Sequence, residues 1–170
     1  RRVRHRGRLA RPGAQGAAGR PQAQRKTWGK LVANGQAGAQ ALGLAQMPQH
    51  IVATVPAQHS YGFESSFLPA LQAASPFWAG KPFYPQDIAA ALAAVPRPRL
   101  LVTTPFHLAT LLDAGIDIPA LDGIVSATAP LAPELAARAE AALGAPLLEI
   151  YGSTESGQLA SRRPTQDTAW

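Results

Sequence analysis

From residue 51 onward the chain repeats one unit, a short apolar run followed by a stretch whose apolar residues recur at helical spacing. The runs are "IVATVP", "RLLVTTP", "LDGIVSATAP" and "PLLEIY". Between them, "SYGFESSFLPALQAA" reads as a helix interrupted by Pro69, and "DIAAALAAV" as a helix with Ile88, Leu92 and Val95 on one side. "FHLATLLDAG" reads as a short helix capped by Gly115. "APELAARAEAALG" is a helix opened by Pro133 and ended by Gly144, with Leu135 and Leu143 marking its apolar side. No tight hairpin signal intervenes, so the four strands are expected to lie parallel with the helices as crossovers. The fold class that follows is α/β, a parallel sheet with alternating helices. Ligands of such sheets collect at the carboxyl ends of the strands, which directs attention to the loops after Val55, Val102, Ser126 and Tyr151.

Composition narrows what those loops can do. At 170 residues, with 46% apolar and 15% charged side chains, the chain is the size of one globular domain. It has no cysteine, which excludes a disulfide framework, a thiolate metal site and a cysteine nucleophile, and fits a reducing compartment. No apolar run approaches the roughly 20 residues that cross a bilayer, and the Arg-rich start lacks the apolar core of a signal peptide. A soluble, cytoplasmic protein with no membrane partner is the expectation. Residues 1–50 hold ten Arg and Lys and no acid, whereas residues 51–170 hold six basic and ten acidic residues. The basicity therefore belongs to one segment. Residues 1–25, rich in Arg, Gly, Pro and Gln, are expected to be a basic, disordered arm. Such an arm could bind nucleic acid, but GC-rich coding DNA gives the same composition, and nucleic acid is not the expected partner. A helix is plausible over residues 26–44, weakened by Gly29, Gly35, Gly38 and Gly43.

The stretch "LLEIYGSTESGQ" carries the chemistry. Its apolar strand gives way to Gly152, Ser153, Thr154, Glu155, Ser156 and Gly157. Glycine permits close backbone approach, the hydroxyls donate hydrogen bonds, and Glu155 offers hard oxygen to Mg²⁺. These suit a magnesium-bound phosphate, although an ordinary polar turn favours the same residues.

The wording "YGSTESGQ" resembles the Tyr-Gly-x-Thr-Glu motif of adenylate-forming enzymes, the superfamily of acyl-CoA synthetases, aryl-acid ligases and nonribosomal adenylation domains. The resemblance implies that Tyr151 packs on adenine, Thr154 contacts phosphate and Glu155 holds Mg²⁺. Gly152 and Ser153 then complete the nucleotide-binding turn. "SATAPLAPEL" is similar to the family's Ser-Gly-Ala-Ala-Pro-Leu segment, which would set Thr128, Ala129 and Pro130 beside adenine, with Ala127 and Thr128 replacing a smaller pair. "PAQHSYGFESS" resembles the segment that lines the acid pocket, which points to His59, Tyr61 and Gly62. The "VTTPFHL" loop resembles the family's stretch that ends in Pro before a helix, and His107 reads as helix packing or surface. Across residues 19–170 the wording looks like the ligases of aryl-polyene and xanthomonadin-type pigment clusters. What this implies is an ATP- and Mg²⁺-dependent ligase that activates a small aryl or acyl carboxylate for transfer to an acyl carrier protein or coenzyme A.

Two departures qualify the resemblance. The family's phosphate loop, Ser-Gly-Ser-Thr-Gly-x-Pro, corresponds here to "QGAAGRP": Gly16, Gly19 and Pro21 align, but Ala17 and Ala18 replace the hydroxyls. A shifted reading frame or wrong start over residues 1–18 would account for this. Nothing matches the ribose-binding Asp or the lid lysine either. Residues 26–170 are therefore expected to be a partial AMP-binding domain with little or no ligase activity alone, and the sheet to end on a bare edge after its fourth strand. Two other readings stay open, a nucleic-acid-binding protein with a basic arm and a non-catalytic remnant of the ligase.

Overall fold

The computed structural model describes residues 25–167 together with residues 169 and 170. The expected phosphate loop, with Gly16 and Gly19, and all of the basic arm except Arg25 lie outside the described residues.

The described residues form a five-stranded sheet in the order β1 (His50–Ala53), β2 (Arg99–Thr103), β3 (Gly123–Ser126), β4 (Leu147–Ser153) and β5 (Gly157–Arg162). The first four strands are parallel, as the alternating pattern required. Helices cross between them: α4 (Pro85–Ala93), α5 (Pro105–Asp113) and α6 (Pro133–Leu143). Each of the three has a proline in its first turn, where the missing N–H costs nothing. Gly144 follows α6 at φ +67°, a left-handed value that glycine adopts without steric penalty.

Because successive strand residues point to opposite faces, the continuous apolar runs feed two cores. On one face Val52, Leu101, Ile124 and Leu147 pack against Ile88 and Leu92 of α4, Leu108 and Leu111 of α5, and Ala136, Ala139 and Leu143 of α6. Leu135, expected on that apolar side, is only partly buried, since the small alanines let α6 lie close to the sheet. On the other face Ile51, Ala53, Leu100, Val102, Val125 and Ile150 pack against α1 (Trp28–Ala41) and the helical segment after β1.

That segment runs without a break at Pro69. It comprises α2 (Ser60–Gly62), a π-helical stretch Phe63–Phe67, and α3 (Leu68–Gln72). Pro69 stands in the first turn of α3, and the wide π turn just before it absorbs the lost hydrogen bond. Gly35 and Gly38 of α1 are contact points. A methyl group on Gly35 would lie 3.1 Å from Leu68 Cβ, so their bareness lets α1 pack closely on α3.

The expectation of a bare fourth strand is corrected by β5. It pairs antiparallel with β4 through a hairpin, with a bulge between Tyr151 and Gly152. Glu149, unexplained within an apolar run, is buried and accepts from the backbone N–H of Leu131 at 3.0 Å and from Arg162 Nε of β5 at 2.9 Å. β5 escaped the sequence reading because "GQLASR" contains one large apolar residue, Leu159, and that side chain faces solvent.

Candidate active site

The hairpin loop Thr154–Ser156, the start of α2 and the loop after β3 meet at the carboxyl ends of the parallel strands and enclose a cavity of about 350 Å³. Thr154 joins two of these pieces, its hydroxyl lying 3.1 Å from that of Ser60. Ser153 and Ser156 hold the loop's shape. The amide N–H of each donates to the hydroxyl of the other at 3.2 Å, and the hydroxyls are 3.1 Å apart. Gly152 is required where β4 and β5 come together, because a Cβ there would lie 2.2 Å from the Gly157 carbonyl oxygen.

Glu155 is exposed at the tip of this loop. The neighbouring Ser153 hydroxyl, its own backbone amide and the charge of Lys26 hold its carboxyl below the usual carboxylate range. It is therefore ionised at neutral pH. No group of three or more ligating side chains surrounds it among the described residues. One ionised carboxylate with hydroxyl neighbours is the donor set for Mg²⁺ that keeps its waters and shares a phosphate, and falls short of an all-protein cage.

The other residues singled out from the sequence divide between lining and scaffolding. His59, Tyr61, Thr128, Gly152, Ser153, Thr154 and Glu155 line the cavity. His59 caps α2, its Nδ1 accepting from the Tyr61 amide at 3.3 Å, and its exposed ring also borders a second cavity of about 390 Å³ with Lys81, Phe83 and His107. The Tyr61 hydroxyl donates to the Thr103 carbonyl at 2.9 Å, with the Val125 carbonyl 3.3 Å away, and so bridges the ends of β2 and β3. Burial pushes its phenol far up, so it stays a neutral donor. Gly62 is buried outside the lining, where a Cβ would sit 2.3 Å from the Pro56 carbonyl oxygen; its role in this geometry is to let the helix pass the β1 loop. Thr128 is held at φ +80°, a conformation that costs a β-branched residue about 1–3 kcal/mol. Ala129 and Pro130 continue that loop, exposed and outside the lining. Tyr151 is 55% exposed and also outside it, its ring 5.3 Å from that of Trp170.

The sequence reading missed Ser60, Glu64, Ser65, Ala127, Ile150 and Gln158, all of which line the cavity. One signal was available: Glu64 is the first acidic residue of the chain and stands in a segment that otherwise reads as buried.

The AMP-binding enzyme family matches residues 16–170. The chain belongs to the AMP-binding enzyme family. No curated protein sequence matches it. Solved structures share the fold at low identity. ATP-bound MatB from Rhodopseudomonas palustris is 21% identical with a TM-score of 0.76, the match covering 92% of this chain and 31% of that one. O-succinylbenzoate coenzyme A synthetase from Bacillus subtilis, in complex with ATP and magnesium ion, is 19% identical with a TM-score of 0.75, covering 90% and 32%. A benzoate CoA ligase from Burkholderia xenovorans LB400 is 22% identical with a TM-score of 0.64, covering 77% and 29%. The chain thus spans about a third of the length of these proteins. Among the described residues no helix is long and apolar enough to cross a membrane.

Proposed function

We propose that this member of the AMP-binding family is the part of an ATP- and Mg²⁺-dependent acid–thiol ligase that holds the acid and the triphosphate. The parent reaction joins a small aryl or acyl carboxylate to AMP and passes the acyl group to a carrier-protein or coenzyme A thiol, in the cytoplasm, in ligases of the aryl-polyene and xanthomonadin type. Residues 26–170 form a partial AMP-binding domain preceded by a basic segment at 1–25. The observation that carries this reading is the meeting of the Thr154–Glu155 loop with His59 and Ser60 across one cavity.

In this assignment Thr154 donates to a phosphate oxygen and Glu155 supplies the protein oxygen to Mg²⁺, which when bound offsets triphosphate charge. The loop after β3, at Thr128, Ala129 and Pro130, together with Tyr151, Gly152 and Ser153, contacts the nucleotide, and Gly16 and Gly19 belong to the phosphate loop. His59, Tyr61 and Gly62 shape the acid side. Catalysis here is positioning and charge stabilisation, because acid and nucleotide supply the reacting groups.

Equilibrium binding of ATP with and without Mg²⁺ tests the assignment. Mg²⁺ is expected to tighten ATP binding by about 10-fold, one charge-assisted contact, and Glu155→Gln to abolish that gain. Mg²⁺ without nucleotide is expected to show no saturable binding. Equal Mg²⁺ dependence in the wild type and Glu155→Gln would overturn the metal role. With so little of the relatives' length present, ATP–pyrophosphate exchange by this chain is expected to be little or none.

A further inference from the structure

Glu149 and Arg162 form an ion pair that the proposed reaction leaves unused. They stand opposite each other in the register of the β4–β5 hairpin, and Glu149 is only 3% exposed. A charge withdrawn so far from water is costly unless it is paired and hydrogen-bonded. Here each carboxylate oxygen is taken by a different part of the chain. Oε1 accepts from the Leu131 amide in the loop after β3 at 3.0 Å, and Oε2 accepts from Arg162 Nε at 2.9 Å. The guanidinium of Arg162 in turn lies over the Trp170 ring, its central carbon 4.3 Å from the ring centre. Trp170 lies against Tyr151, with 5.3 Å between ring centres. One series of contacts therefore runs from Leu131 through Glu149, Arg162 and Trp170 to Tyr151. Its two ends are the two pieces assigned above to the nucleotide, because Thr128, Ala129 and Pro130 immediately precede Leu131.

Resting on that assignment, we infer that Glu149, Arg162 and Trp170 are positioning residues, which brace the Thr128–Pro130 loop and Tyr151 against each other so that the flat base of the nucleotide binds a preset site. Neither piece is held by its immediate surroundings. The loop is exposed over Thr128, Ala129 and Pro130, with Thr128 at φ +80°, and Tyr151 is 55% exposed beside the bulge of the hairpin. Attraction between stacked rings falls away over a fraction of an ångström, so walls free to shift would lose part of their contact with a base and would have to be ordered when it binds. The brace supplies that order beforehand. Glu149 fixes the loop through a charged hydrogen bond to backbone, and a guanidinium over tryptophan is a favourable cation–π contact. Tryptophan, in turn, offers Tyr151 a rigid aromatic neighbour with few rotamers to freeze.

The test is titration calorimetry of the whole chain, with Mg²⁺ present, using ATP and ribose triphosphate, which has the same sugar and phosphates without the base. Wild type is expected to bind ATP about 10-fold or more tightly than ribose triphosphate, the scale of one base stacked on an aromatic ring. Trp170→Ala is expected to lower that preference by at least about 3-fold while leaving ribose triphosphate binding unchanged, a selective loss that general destabilisation would not produce. Trp170→Phe restores a ring and should recover most of the preference. Glu149→Gln keeps an oxygen for the Leu131 amide but gives up the charge that holds Arg162, and should lower the preference as Trp170→Ala does. Because both act through Arg162, the double variant is expected to lose no more than the weaker-binding single one. Trp170 is half exposed, so its variants decide the matter even where Glu149→Gln fails to fold. Four results would each overturn the proposal: no preference for ATP in wild type, a preference lowered less than about 3-fold in Trp170→Ala, equal weakening of both ligands in that variant, or tighter ATP binding by it, which would make Trp170 a cover over Tyr151. Mg²⁺-dependent ATP binding by wild type alongside such a failure would confine it to the brace. Absence of binding by either ligand would bring down the reading of the cavity as well.

Discussion

The two faces of the sheet are built from the same strands but to different standards. The face under α4, α5 and α6 is closed with Leu, Ile and Ala, and the ion pairs Arg97–Asp122 and Arg138–Asp113 lie at its periphery. The face under α1 and the π-helical segment places a tyrosine hydroxyl beneath the strand ends and a lysine–glutamate pair beside a cavity. Apolar contacts have no direction and can be maximised, which suits stability. Polar groups must each find a partner, so a face that carries them gives up some apolar contact for somewhere to bind.

On that division, truncation should hurt most on the closed face. Leu101 is fully buried there, and Leu101→Ala is expected to cost about 2–5 kcal/mol by urea unfolding. A cost near that of an exposed site would erase the contrast. Gly62→Ala tests the opposite face by overpacking. Its Cβ would clash with Pro56 and Val55 carbonyl oxygens at 2.3 and 2.8 Å, so a loss of about 1–3 kcal/mol is expected, together with weakened acid binding as α2 shifts. Tyr61→Phe, which keeps the ring and removes the bridge between β2 and β3, should cost about 1 kcal/mol in the same assay.

The smallest effect concerns pH at the mouth of the second cavity. Desolvation lowers the pKa of His107, whose Nδ1 is 2.9 Å from the Thr104 hydroxyl and whose Nε2 is buried without a partner. The folded state therefore binds the proton more weakly than the unfolded chain. This stability is complete above about 6.5, the ordinary imidazole value, and is lost as pH falls from there through the folded pKa. Thermal melts from pH 8 to pH 5 should show that loss in the wild type and a shallower one in His107→Gln. Carboxylates held low by their partners, Asp122 by Arg97 and Glu140 by Arg163, add a second loss only as the pH falls below the ordinary carboxylate range.

Strong periodic signals were readable without coordinates. Apolar runs with prolines and glycines at the helix ends give four parallel strands, and with them the loops at their carboxyl ends that border the cavity. "YGSTE" stood out by its resemblance to the Tyr-Gly-x-Thr-Glu motif of adenylate-forming enzymes. Contacts between distant residues were not readable. Arg162 explains Glu149, and Lys26 and Asn34 explain Glu64, but each pair is 13 to 38 residues apart with no local pattern to announce it. The strand β5 was invisible for a related reason, since it is held by its neighbour and by Glu149 and not by its own hydrophobicity.

The amino-acid sequence by itself determined the α/β alternation, the parallel direction of the first four strands, and the chemistry available after β4, because propensity, periodicity and local turn residues act within a few positions of one another. Only the tertiary structure decided that the sheet closes with an antiparallel fifth strand, that Tyr61 spends its hydroxyl on the strand ends, and that a carboxylate stands in the cavity wall. Those outcomes depend on which desolvated polar groups meet, and such meetings are set by the packing of whole elements.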